Sequence, residues 1–297
     1  MDRLTSMTVF ARVAAARSFS AAARQMGISQ ATASKHVQTL EGWIGARLLH
    51  RTTRRVALTE AGESFFAQCT RILDDMEAAR QAGRPEAKLR GMLRVSAPVV
   101  FGSTRLAALC VDFMAASPDL VLNVTLCSRP VDVIEEGYDL AIRLTRGASR
   151  PFDEPGLSVH RLGTVRFTVC AAPAYLAEHG VPETPADLAR HTCLTHTRPL
   201  GDVWRFATHT GETEVAVTGR LKSDNGLLRR AAACRGAGIL LAPDYLVEDD
   251  IASGRLVALI EDYPSVPGSL DAICATQRGA TPKVRSFTAF LATQLTQ

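Results

Sequence analysis

Between residues 20 and 59 the apolar positions run at helical spacing, stop at a glycine, resume, and then give way to cations and hydroxyls. Ser20 is placed to cap a short helix through Ala21, Ala22, Ala23 and Arg24, small or good helix formers that let a second helix approach closely. Gly27 suits the left-handed residue that ends such a helix, and Ile28 plugs the turn. Ser29 caps a second helix whose apolar side is Ala33, Val37, Leu40 and Ile44, spaced four, three and four apart. Its other side shows Gln30, Ser34, Lys35 and Gln38, with Ser29 and Ala31 at its start. Gln pairs bidentately with adenine, and Ser and Lys reach bases or phosphates, so this face suits the major groove. His50 and the following Arg51, Thr52, Thr53, Arg54 and Arg55 read as a wing whose cations lie on the phosphate backbone.

From Thr59 the pattern changes again. Phe65, Cys69, Ile72, Met76 and Ala79 recur every 3.5 residues on average, a coiled-coil seam, and the helix stops near 83–85 ahead of a hinge at 88–91. After Met92 strands alternate with helices: strand 93–96, helix 103–115, strand 120–127, short helix 131–136 and strand 139–143. That order predicts a parallel sheet with right-handed crossovers. A second unit holds strand 165–171, a helix near 174–178, strand 214–218, helix 225–235 and strand 238–241; the tail adds strand 269–275 and helix 282–293.

Charge sharpens the first reading, because the same helix pair could belong to any small helical domain. Residues 1–58 hold nine Lys/Arg against two Asp/Glu, a net +7, whereas the whole chain is +4. A basic end on a slightly acidic body is the footprint of a nucleic-acid reader joined to something else. The N-terminus lacks a secretion-signal pattern, and no run approaches the roughly 18 apolar residues of a membrane span. The expected location is therefore the cytoplasm. The seven cysteines are scattered without metal-ligand spacing, so most are expected as small buried hydrophobes and no metal or cofactor is expected.

The stretches MTVFARVAAARSFSAAARQMGISQATASKHVQTLE and ARLLHRTTRRVALTEAG resemble the winged helix-turn-helix of LysR-type transcriptional regulators. The resemblance implies that Gln30, Ser34 and Lys35 face the groove and that Arg51, Thr53 and Arg54 sit in the wing. Ala31 departs from the family, where Pro is common, and loses the pre-organisation of the first helical position. The stretches GMLRVSAPVVFG, VDVIEEGYDLAIR, CAAPAYLAEHG, TPADLARHTCL, AAACRGAGILLAPDYLVEDDIASGRLV and PKVRSFTAFL resemble the family's effector domain. That domain is an α/β, two-lobed fold resembling type II periplasmic binding proteins.

The resemblance implies three parts: an all-α winged helix-turn-helix at 1–58, a linker and dimerisation helix at 59–90, and an effector-binding domain at 91–297. Lobe I would take about 91–162 and 268–297, and lobe II about 163–267, with crossovers near 161–165 and 265–270. A homodimer or homotetramer would bind a partly palindromic double-stranded DNA site. Some relatives sense peroxide through cysteines, which raises Cys193 with Cys234 as a conceivable redox pair.

In open α/β sheets ligands lodge beyond the C-terminal strand ends, often at helix N-termini. Residues 96–104, 127–130 and 224–226 satisfy that geometry, although Ser, Asn, Gly and Pro also serve there simply as caps and turns. Since the family binds its small-molecule effector between the lobes, the candidates are Ser96, Val99, Phe101, Gly102, Ser128, Thr145, His196 and Asn225. Arg129, Arg143 and Arg146 hint at an anionic effector, because a guanidinium matches a carboxylate. No nucleophile elbow, phosphate loop or zincin motif is present, and the histidines lack ligand spacing, so no catalysis is expected. A solute-binding protein would share the lobes, but it should carry a secretion signal and lack the basic reader.

Overall fold

The computed structural model describes residues 2–51, 56–81, 89–146, 154–197, 201–209, 211–279 and 281–295, with backbone alone at 51, 71, 74, 75 and 77–81. The chain forms two compact units, Met1–Gly91 and Met92–Gln297.

The first unit begins with a helix ahead of the pattern at residues 20–59, α1 (Arg3–Ala16). Asp2 caps it by accepting from the Leu4 and Thr5 amides, and Met7, Phe10, Val13 and Ala14 bury one side. Then follow α2 (Phe19–Gln25) and α3 (Gln30–Ile44). The cap of α2 is Ser18 rather than Ser20. Ser18 has extended backbone and accepts from the Ala21 amide, so Ser20 falls inside the first turn. Gly27 has φ +66° and Ile28 donates back to the Ala23 carbonyl, which closes the helix as expected. Ala33, Val37 and Leu40 are buried in one core with α1. A two-stranded antiparallel wing, β1 (Leu49–Arg51) and β2 (Val56–Leu58), leads into α4 (Glu60–Gln81).

The expected seam on α4 divides in two. Cys69 is buried in the N-terminal core, with Phe65, Phe66 and Leu73 packed against it, whereas Ile72 and Met76 are exposed. Phe65 and Cys69 are therefore not free for a subunit seam: the Phe65 ring packs tilted against Phe10, and the Cys69 thiol donates to the Met7 carbonyl of α1.

The second unit builds two sheets. The elements in order are β3 (Gly91–Ala97), α5 (Val99–Phe101), a π-helical turn (Gly102–Leu106), α6 (Ala107–Ala116), β4 (Leu120–Leu126), β5 (Leu140–Arg146) and β6 (Leu157–Val165). After them come β7 (Phe167–Ala171), α7 (Pro173–His179), a 3-10 turn (Pro185–Arg190), β8 (Cys193–Leu194), β9 (Val203–Thr208), β10 (Gly211–Ala216) and α8 (Gly226–Cys234). The chain closes with β11 (Ile239–Pro243), α9 (Asp244–Ala252), β12 (Val257–Leu259), β13 (Gly268–Ala275), α10 (Thr276–Gly279) and α11 (Pro282–Leu295).

The sheet of lobe I has the order β4-β3-β5-β13-β6 and that of lobe II β12-β7-β11-β8. Both are mixed rather than purely parallel. β3 runs parallel to β5, and β8 to β11, but β13 is antiparallel to β5 and β6, and β7 is antiparallel to β11 and β12. The chain crosses between the sheets at Arg166 and again over residues 260–267, close to the expected crossovers.

Three local expectations are corrected. Residues 131–136 form turns and no helix: the Asp132 carboxylate takes the Ile134 and Glu135 amides, and Gly137 reverses the chain at φ +75°. The strand at 214–218 belongs to the β9–β10 hairpin, outside the main sheets. The helical stretch Val99–Ala116 is long and apolar enough, by length and composition, to cross a membrane. It carries Arg105 and Asp112 and connects β3 to β4, neighbours in one sheet, so its place is in the α/β fold.

Candidate DNA-reading face and effector cleft

The first unit presents one polar helix face. On α3, Ser29, Gln30, Ala31, Lys35 and Gln38 are exposed and Ser34 half-buried, opposite the buried Ala33, Val37 and Leu40. Ser29 is the N-cap, its hydroxyl accepting from the Thr32 amide at 3.0 Å. Gln30 takes the first helical position, so Ala31 occupies the second and the missing Pro leaves the first position untouched. Gln30 Oε1 accepts from the Ser20 hydroxyl at 2.9 Å, which fixes the side chain across the turn from α2. Pattern reading missed a carboxylate behind this face: Glu41 Oε1 accepts from the Leu48 and Leu49 amides at 2.9 and 3.2 Å and ties α3 to the wing. Arg51 lies on β1, opposite Val56; Thr52, Thr53 and Arg54 lie outside the described residues.

In the second unit the candidate residues gather at strand ends. Ser96 is fully buried near the end of β3, where Arg143 Nη2 donates to its hydroxyl at 2.9 Å. The Cys127 thiol, at the end of β4 and next to half-buried Ser128, lies 3.4 Å from the same oxygen. Arg143 is itself buried, donates also to its neighbour's carbonyl at Ile142, and forms no ion pair among the described residues, the Glu136 charge acting on it only weakly. Burial pushes its guanidinium below the ordinary arginine value.

Arg146, from the same strand, lies 4.5 Å from the centre of the Phe167 ring and donates to the Ser265 hydroxyl at 3.4 Å. Loss of water around that guanidinium, and then the charges of Arg229 and Arg205, push its pKa down to about 10. It still carries its charge at neutral pH. Arg129 differs. It is exposed and held bidentately by Glu136 at 2.7 and 2.5 Å, which keeps it neutralised and removes it from the anion-binding set.

The other candidates divide by the work they already do. Val99 is half-buried in α5, Phe101 is buried, and Gly102 is buried against the Leu126 side chain. Thr145 sits half-buried on β5 opposite Ser269 of β13. Asn225 is an N-cap, its side-chain oxygen accepting from the Leu227 and Leu228 amides, so that atom already has structural partners. His196 follows the end of β8, and its amide donates to the Gly201 carbonyl at 3.4 Å. Beside it, Thr195 was missed: its hydroxyl is fully buried with no hydrogen-bond partner among the described residues. A lone Thr in TCLTHT carries no spacing signal that could have marked it.

The cysteines are free. Burial pushes the thiols of Cys69, Cys170 and Cys193 up to about 12, which makes them poor nucleophiles. Cys193 belongs to the core on one face of the lobe II sheet and Cys234 packs on the other, so they are not a pair. Among the described residues no cluster of His, Cys, Asp or Glu could hold a metal ion.

Comparison with known proteins fits these two constellations. The profile described as bacterial regulatory helix-turn-helix protein, lysR family, matches residues 4–63, and that described as LysR substrate binding domain matches residues 86–296. The chain belongs to the LysR family of transcriptional regulators.

Relatives include the regulator DmlR of Escherichia coli, 33% identical over 97% of this chain and 93% of its own length. CrgA of Neisseria meningitidis serogroup C is 32% identical over 97% and 96%. The solved structure of Neisseria meningitidis CrgA, a LysR-type regulator, covers 99% of each chain at 31% identity and TM-score 0.63. Full-length AphB of Vibrio cholerae covers 99% of each chain at 26% and 0.59. As a LysR-type regulator the protein is a DNA-binding transcription factor with an effector-binding domain, and not an enzyme. Regulators of this type bind DNA and small-molecule effectors and are typically oligomeric.

Proposed function

We propose that this regulator reads a partly palindromic operator in the cytoplasm as a homodimer or homotetramer, and that an anionic small molecule bound between its lobes sets the outcome. The exposed polar face of α3, within residues 1–58 that carry a net +7, carries the DNA half of this reading. Ser29, Gln30, Ala31, Ser34, Lys35 and Gln38 meet the major groove, and Arg51, Thr52, Thr53 and Arg54 meet phosphate. Two copies are required because one reading helix covers only half of a two-fold site.

Ser96, Val99, Phe101, Gly102, Ser128, Thr145, His196 and Asn225 line the effector's seat. Arg143 and Arg146 support an anion, since neither forms an ion pair with a carboxylate among the described residues. A ligand carboxylate would supply the missing countercharge. The ligand changes DNA binding only if it binds one lobe arrangement more tightly than another.

The test is binding of the full-length protein to DNA upstream of its own gene across a salt series. Tight, selective and steeply salt-dependent binding is expected, with Arg51→Ala flattening the slope by about one. Equal, weak binding to this DNA and to unrelated DNA would count against the operator assignment.

A further inference from the structure

One turn of lobe I reaches into lobe II. The helical segment leaving β3 does not run as a plain α-helix, because Gly102–Leu106 is a π-helical turn between α5 and α6. Such turns hold one extra residue and concentrate at functional sites. The Ser103 and Thr104 hydroxyls bond back to the Val99 and Val100 carbonyls at 2.8 Å and brace the turn.

Three side chains of this segment touch lobe II. Val100 packs against the lobe II core, its Cγ2 lying 2.7 Å from where a side chain at Gly226 would begin, at the start of α8. The Phe101 ring meets Tyr245 of α9 edge-on at 6.1 Å. Arg105 Nη2 donates to Glu248 Oε1 of α9 at 2.6 Å, with both side chains about half exposed. Tyr245 and Glu248 are three residues apart and so share a face of α9.

We infer that this turn is a latch: the Arg105–Glu248 ion pair, beside the Phe101–Tyr245 contact, holds the two lobes in one closed arrangement. The inference rests on reading the cleft as the effector's seat, and it names how that seat is regulated. Val99, two residues before Phe101, and Phe101 itself are among the residues assigned to the seat, so ligand contact and lobe contact share one short segment. A half-exposed ion pair is weak, which suits a contact that must break. Arg105 lies within the π-helical turn, so the winding of that turn sets the direction of its side chain. Regularising the turn to α-helix would rotate Arg105 off Glu248 and release the lobes.

The experiment measures lobe separation in the full-length protein without effector. Spin labels are attached through keto amino acids at Asp112 of α6 and Glu178 of α7, both exposed, and the labelled protein is diluted into unlabelled protein. Pulsed dipolar spectroscopy should give one narrow distance distribution for the otherwise native protein. Arg105→Glu should raise the long-distance fraction severalfold, and the swap Arg105→Glu/Glu248→Arg should restore the narrow distribution. An unchanged distribution in Arg105→Glu, or a swap as open as the single variant, would overturn the latch. Because no effector is present, the result is separate from the cleft reading, which is tested by thermal shifts of the native protein with a panel of mono- and dicarboxylates.

Discussion

At the scale of single residues, the reading face depends on groups already positioned before DNA arrives. Gln30 is held across the turn by Ser20, so less side-chain freedom remains to be lost on binding. Gln30→Ala should cost about 1–3 kcal/mol at the specific site and little on unrelated DNA. Fluorescence anisotropy with both duplexes checks this, and an unchanged ratio of specific to nonspecific affinity would remove Gln30 from base reading.

In lobe II, burial and then the charge of His179 push the His191 pKa below its ordinary 6.5. A histidine held neutral in the fold takes up its proton more readily when unfolded. Its contribution to stability is therefore present above about pH 6.5 and declines as the pH falls below that value. Melting temperature should drop between pH 7.5 and 5.5, and less so in His191→Gln, as differential scanning calorimetry would register.

At the scale of elements, periodicity located most helices and strands but could not say which neighbour each one meets. The 3.5-residue spacing on α4 is real, yet Phe65 and Cys69 are buried in the reader's own core while Ile72 and Met76 are exposed. A heptad pattern marks an apolar stripe and does not name the surface that covers it. If the exposed half is the subunit contact, Ile72→Glu/Met76→Glu should yield monomers by analytical ultracentrifugation while leaving the circular dichroism spectrum intact; persistence of the oligomer would assign the contact elsewhere.

The strand at β10 was legible, but its hairpin partner was not, because strand pairing is decided by contacts distant in sequence. The π-helical turn left no trace either: the pattern predicts a plain helix over 103–115, and the structure begins it at Val99 with the π-helical turn inside it. By contrast α1 was legible and went unread, since Asp2 followed by Met7, Phe10, Val13 and Ala14 is a capped amphipathic pattern.

For the whole molecule, the candidate cleft shows how far strand-end reasoning reaches. It selected Ser96 and the Ser128 neighbourhood, which Arg143 and Cys127 do bring together. It could not tell Arg129, ion-paired with Glu136, from Arg143, which forms no ion pair among the described residues, because ion pairing depends on a turn at 131–136 that the pattern mistook for helix. A buried cation outside any ion pair carries a desolvation cost that an apolar side chain of similar size does not. Arg143→Met should therefore melt at or above the native temperature and keep its DNA affinity, yet lose any carboxylate-induced thermal shift. A preserved shift would place the anion elsewhere.

The thiol of Cys69, buried against α1 from the first half of α4, sets the smallest piece of chain that can act as a reader. A cut after Leu58 would strip Phe65, Phe66, Cys69 and Leu73 from a core too small to spare them. A fragment of residues 1–58 should show little cooperative melting, and one of residues 1–81 should melt as a unit. Grafting this specificity onto another regulator thus means moving α4 along with the reading helix, and any twist delivered through α4 begins inside the head that it turns.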